Sequence, residues 1–156
     1  MRSSRSTLAL ALALAAGLFA QGATVPAMAG LGDTVTSIQS DVAKMKGQLR
    51  VKAAAGYTVQ EITTPAGTLV REYVSPAGVV FAVSWRGPAV PDLRQTLSRY
   101  FPQLQAAEKT QRLGHHHLEV RQSGLVVRAS GHMRDFFGMA YVPSLLPANF
   151  AVSDIQ

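Results

Sequence analysis

The 156-residue sequence has no cysteine, so neither a disulfide nor a lipidated cysteine can anchor or staple it. Charged side chains make up only 15% of the chain and no basic run occurs, which leaves out the electrostatic footprint of a nucleic-acid binder. Beyond Phe19 no apolar stretch approaches the roughly 18 residues a membrane-spanning helix needs. No G-x-S-x-G elbow and no cofactor fingerprint appear, so neither an α/β-hydrolase nucleophile nor any cofactor is expected.

What is present at the start is a leader. Arg2 and Arg5 precede an apolar run from Leu8 to Phe19, and Ala27-Met28-Ala29 has the small-x-small pattern of a cleavage site. Residues 1–29 are therefore expected to be a secretory signal peptide. Residues 30–156 are expected to form a single α+β domain in the periplasm or outside the cell. Loss of Arg2 and Arg5 lowers the formal charge from +6 to +4. That mild excess suits an anionic envelope without specifying a partner.

The best-defined stretch runs from Tyr57 to Trp85. Thr64-Pro65-Ala66-Gly67 and Ser75-Pro76-Ala77-Gly78 each place Pro where φ must be near −65° and Gly where φ can be positive, between runs rich in Val, Tyr and Thr. A type I turn closed by a left-handed Gly makes a hairpin with a G1 bulge. The resulting register sets Val59 opposite Tyr73, Glu61 opposite Arg71, Ser75 opposite Val79, Tyr73 opposite Phe81 and Arg71 opposite Val83. Tyr57, Val59, Leu69, Tyr73, Val79, Phe81, Val83 and Trp85 then share a face, expected to lie beneath a helix. The other face, with Ile62, Val70, Glu72, Val74, Val80 and Ala82, is expected to be partly covered.

On either side the pattern is helical. Val35, Ile38, Val42, Met45 and Leu49 recur at spacings of three and four, predicting a helix over residues 33–49 with Asp33 at its start. Asp92 opens a second helix carrying Leu93, Leu97 and Tyr100, and Pro102 should stop or kink it near Phe101. Residues 103–108 add another short helical turn. A second meander follows, with Gln122 paired to Leu125, Glu119 to Arg128 and Leu118 to Ala129 around Ser123-Gly124, and a third strand over residues 136–142. The expected architecture is an antiparallel sheet of five or six strands with two main helices packed on one face, in the order α-βββ-α-βββ. The tail, residues 144–156, is expected to be a loosely held surface loop.

The strings Gly56-Tyr57-Thr58-Val59-Gln60-Glu61-Ile62, Val70-Arg71-Glu72-Tyr73-Val74, Val80-Phe81-Ala82-Val83-Ser84-Trp85, Pro91-Asp92-Leu93 and Gly131-His132-Met133-Arg134 resemble a family of exported proteobacterial proteins, domain of unknown function 2844. The resemblance implies an exported single domain and brings no activity, fold or site with it.

Three groups of residues carry candidate chemistry. The second hairpin sets His115 opposite His132 with His117 diagonal to it, and Asp135 follows; imidazoles with a carboxylate can hold zinc or copper(II). Ser130 falls opposite His117 with Glu119 on the same face, the residue types of nucleophile, base and orienter, but on an open sheet. Glu61 and Glu72 point to opposite faces and cannot act as a paired acid and base. The function these features favour is a non-catalytic envelope module that binds an envelope protein or polymer. A metal-binding periplasmic protein is the alternative, and an enzyme of unrecognised type the third reading.

Overall fold

The computed structural model of the protein describes residues 30–110, 117–122 and 124–156. Its strands are β1 (Gln48–Ala54), β2 (Tyr57–Thr63), β3 (Leu69–Val74), β4 (Val80–Gly87), β5 (His117–Gln122), β6 (Leu125–His132) and β7 (Asp135–Tyr141). They form a single seven-stranded antiparallel sheet in the order β1-β2-β3-β4-β7-β6-β5. The two meanders are thus one surface, joined where β4 pairs with β7 and Trp85 faces Gly138. A side chain at residue 138 would put its Cβ 2.3 Å from Trp85 Cζ2, so Gly is what lets the indole lie across the strand.

Three helices accompany the sheet: α1 (Ile38–Met45), the single-turn α2 (Leu93–Leu97) and α3 (Phe101–Thr110). Asp92 caps α2 by accepting a hydrogen bond from the Arg94 N–H at 2.9 Å. The break expected at Phe101 comes earlier, at Ser98, where φ is 46°. Pro102 then occupies the first turn of α3, where its missing N–H costs nothing.

The expected helix over residues 33–49 is too long. It ends at Met45, Lys46 turns left-handed with φ 50°, and Gly47 N–H donates to the Val42 carbonyl at 3.0 Å. Leu49 and Arg50 belong to β1, a seventh strand where five or six were expected, paired along its length with β2. Nearly all of β1 is exposed, so it has no apolar alternation to announce a strand.

Both Pro-Ala-Gly turns form as anticipated. Gly67 N–H donates to Thr64 O at 2.9 Å and Gly78 N–H to Ser75 O at 2.8 Å, with φ values of 86° and 76° at the glycines. Val59 faces Tyr73, Glu61 faces Arg71, and Ser75 N–H reaches Val79 O at 2.9 Å.

Beyond Val74 the register departs from expectation. A bulge between Tyr73 and Val74 sets Tyr73 opposite Ala82 and Arg71 opposite Ser84, one place on from Phe81 and Val83. The extra residue lets Phe81 and Ala82 share one side while Val83 and Trp85 turn to the other. Each face thereby receives a large ring.

Of the face expected beneath a helix, Val83 and Trp85 do lie under the helices, while Tyr57, Val59, Tyr73 and Phe81 lie on the opposite side. Ile38, Leu97 and Leu104 pack on Ile62, Val70, Val80, Val83, Trp85, Val120 and Val127. The face bearing Tyr57, Tyr73 and Phe81 is closed by the tail, whose Leu146, Phe150, Val152 and Ile155 pack against it. Phe150 stands edge-on to Phe81 at 4.7 Å and to Tyr57 at 5.1 Å between centroids. The tail is therefore a built layer rather than a loose end. Its last described backbone oxygen, on Gln156, accepts from Arg71 Nη1 at 2.8 Å, from Tyr73 Oη at 3.3 Å and from Ser84 Oγ.

Candidate functional site

The tail covers β2, β3 and β4 and the ends of β7 and β6 that carry Tyr141 and Val126, both buried with it. Past Ile155 the other ends of β7, β6 and β5 are open on this face, with Phe137 and His117 exposed. Here the register lays side chains in two rows: Ser84, Met139, Arg128 and Glu119 in one, Arg86, Phe137, Ser130 and His117 in the next. Period-two alternation puts all eight on the tail side of the sheet. Ile155 and Gln156 form the wall of the resulting groove, which has a volume of about 360 Å³, at the low end for small-molecule sites. Phe137 in its floor is 48% exposed, against 0% for Phe81 under the tail, so the apolar floor is open where its neighbour is sealed.

The polar side chains of the groove carry an excess of positive groups. Arg128 Nε donates to Glu119 Oε1 at 3.3 Å, Arg121 Nε shares that oxygen at 3.0 Å, and His117 Nε2 lies 3.9 Å from Glu119 Oε2. Arg121 and Arg128 hold the Glu119 carboxyl below the usual range. Arg86 Nε is 3.7 Å from Asp135 Oδ1 at the outer end.

The expected pairing of Ser130 with His117 and of Glu119 with Arg128 is present, so serine, imidazole and carboxylate do share one face. They lie on the open floor of the groove.

His132 pairs with Asp135 at the end of the β6–β7 hairpin, on the same face as His117 and one strand position outward from Ser130. His115, the third member of the candidate metal set, lies outside the described residues. Among the described residues no group of three His, Asp or Glu side chains is placed to hold a metal ion.

A different constellation, unforeseen in the sequence, sits under the helices. Glu72 of β3 and Asp41 of α1 are both 0% exposed. Asp41 Oδ1 accepts from Gln95 Nε2 at 2.6 Å. Neither Glu72 oxygen nor Asp41 Oδ2 has another donor, so the two carboxyls satisfy each other only by sharing a proton. Burial, with Asp41 close by, raises Glu72 well above the ordinary carboxylate range. Burial also pushes Asp41 up to about 6, against the pull of the Gln95 hydrogen bond. Glu72 is thus the donor and Asp41 the acceptor.

On the tail side Glu61 does the opposite. Lys52 at 2.9 Å and Arg71 at 3.0 Å hold its carboxyl low, the Lys52 hydrogen bond most of all. The expectation that Glu61 and Glu72 face opposite ways is met, and only Glu72 finds a carboxylate partner.

The groove itself was missed because it depends on β4 meeting β7. The alternation of Phe137 and Met139 with Gly138 and Ala140 was a readable signal for the floor; the wall, from a tail expected to be loose, had none. For the buried acids there was a signal: Asp41 falls three residues from Ile38 on the apolar stripe of α1, and Glu72 shares parity with Val70 and Val74.

No helix among the described residues is long and apolar enough to cross a membrane. No curated protein and no solved structure matches the chain. A family model described as "Protein of unknown function (DUF2844)" matches residues 27–155, nearly the whole sequence. With its sheet, tail and strings of shared residues in view, the chain belongs to the DUF2844 family.

Proposed function

We propose that this protein is an exported, non-catalytic module that acts by binding another component of the cell envelope, with the open half of the tail face as its contact surface. The single observation that carries the reading is the asymmetry of that face. Eight side chains in two register rows lie beside a sealed aromatic layer, and a chain that buries Phe81 completely leaves Phe137 half exposed. An exposed ring among arginines, adjoining a packed core, is the usual anatomy of a contact surface.

Export rests on the leader: Arg2 and Arg5, the apolar run to Phe19 and the Ala27-Met28-Ala29 site. The same leader supports a periplasmic or extracellular location. Binding is favoured over hydrolysis because Ser130 and His117 stand on an open floor where water is not excluded.

Site-specific photocrosslinking tests this. A photoreactive phenylalanine analogue at position 137, in cells exporting the protein, is expected to give reproducible adducts that the same analogue at the exposed Lys109 position does not. Identical adducts from both positions, or none from position 137, would remove the groove as the contact surface.

A further inference from the structure

The chemistry of the groove narrows what can enter it; the inference rests on the binding reading above. Its floor is apolar, formed by Phe137 and Met139 against the Ile155 wall. The charged and titratable side chains that line it are Arg86, Arg128 and His117, and among the described residues no Asp or Glu side chain lines it. The nearest acids stand at its margins and are oversubscribed. Glu119 is shared by Arg121, Arg128 and His117, and Asp135 lies 3.7 Å from Arg86. Three arginines against two carboxylates leave a net positive rim before either histidine is protonated. Arg86 Nε, at 3.7 Å from its carboxylate, is too far for a strong hydrogen bond and has donor capacity to offer.

We propose that the groove binds a small amphipathic carboxylate, its apolar body laid over Phe137 and Met139 against Ile155 and its carboxylate end held by Arg128 and Arg86. A planar guanidinium donates two parallel N–H bonds to a carboxylate, and an apolar shelf beside it lowers the local dielectric and strengthens the pair. The groove's volume of about 360 Å³ suits a single medium-length acyl chain or an aromatic acid rather than a polymer segment.

The probes are decanoate, decanol and decyltrimethylammonium, which share a chain and differ in headgroup. Calorimetric titration of the full mature protein, with methyl NMR of Met139, reads affinity and place together. Decanoate is expected to bind tightest and to shift the Met139 methyl. Arg128→Gln is expected to weaken decanoate by about tenfold, the scale of one charge-assisted hydrogen bond, and to leave decanol unchanged. Phe137→Ala should weaken both. Both sites are surface positions, and unchanged melting temperatures would show that each variant folds.

Equal or tighter binding of decyltrimethylammonium would overturn the proposal, as would decanoate binding that ignores both Arg128→Gln and Arg86→Gln or leaves Met139 unmoved. If decanoate fails while position 137 still crosslinks specifically in cells, the ligand class is wrong and the binding module stands. If decanoate binds as described and no adduct forms from position 137, the site is real and its assignment as an envelope contact is wrong.

Discussion

Glu72 and Asp41 show how strongly position alone can alter a side chain. Both are ordinary carboxylic acids, yet between sheet and α1 they face each other with only Gln95 donating from outside the pair. Asp33 adds its negative field, and Lys44 is the one cation that offsets it at Asp41. Because both folded-state values lie above the unfolded ones, the native state holds protons that the unfolded chain has already released at the same pH. Stability from this pair is therefore fully present below about pH 4 and is lost as the pH rises through about 6 at Asp41, and further up at Glu72. Urea unfolding is expected to give a stability lower by on the order of 2 kcal/mol at pH 8 than at pH 5. In Glu72→Gln, where the amide donates to Asp41 without adding charge, the step through about pH 6 at buried Asp41 should remain and the further loss at higher pH that belongs to Glu72 should vanish. A wild-type protein equally stable at both values, or one that gains stability as the pH rises, would contradict the shared proton.

At the level of elements, the tail has changed most between sequence and structure. Residues 144–156 carry Pro147 and no periodicity, so they read as a loop, yet Phe150 touches three rings: Tyr57 at 5.1 Å, Phe81 at 4.7 Å and Tyr73 at 6.0 Å. Phe150→Ala is expected to cost about 3 kcal/mol in chemical denaturation, in the range for removing a packed aromatic. A cost below about 0.5 kcal/mol, typical of a surface position, would restore the tail to a loose end. What was legible in the chain was local. The first Pro-Ala-Gly corner and the Gln122–Leu125 hairpin fix their registers by turn chemistry and formed as read, and the second corner formed its turn before a bulge shifted the pairs beyond Val74. The bulge beside Phe81 and the end of α1 at Lys46 were not legible, because each is decided by which partner layer is present. Val42, Met45 and Leu49 keep a helical spacing that only the pairing of Gln48–Ala54 with β2 overrides. The histidine face was legible in register, since Ser130 does meet His117, whereas the groove needed β4 to meet β7 and a tail to wall it.

For the whole molecule, one sheet serves two purposes because its covers are unequal. Helices seal the side carrying Trp85 from β2 to β5, while the tail seals the other side over β2 to β4 and the ends of β7 and β6 that carry Tyr141 and Val126. The open part holds the apolar floor and the arginines, and the sequence's formal net charge of +6 favours encounter with anionic ligands or surfaces. That partition of one face into a sealed layer and an open groove underlies both the proposed binding role and the proposed class of ligand. Hydroxyl-radical footprinting with residue-level mass spectrometry measures it directly. The account predicts rapid modification at Phe137 and at Met133, which is 91% exposed, with Phe81 and Tyr73, at 0% and 2%, protected until the protein unfolds. Comparable rates at Phe81 and Phe137 in the native protein would contradict it.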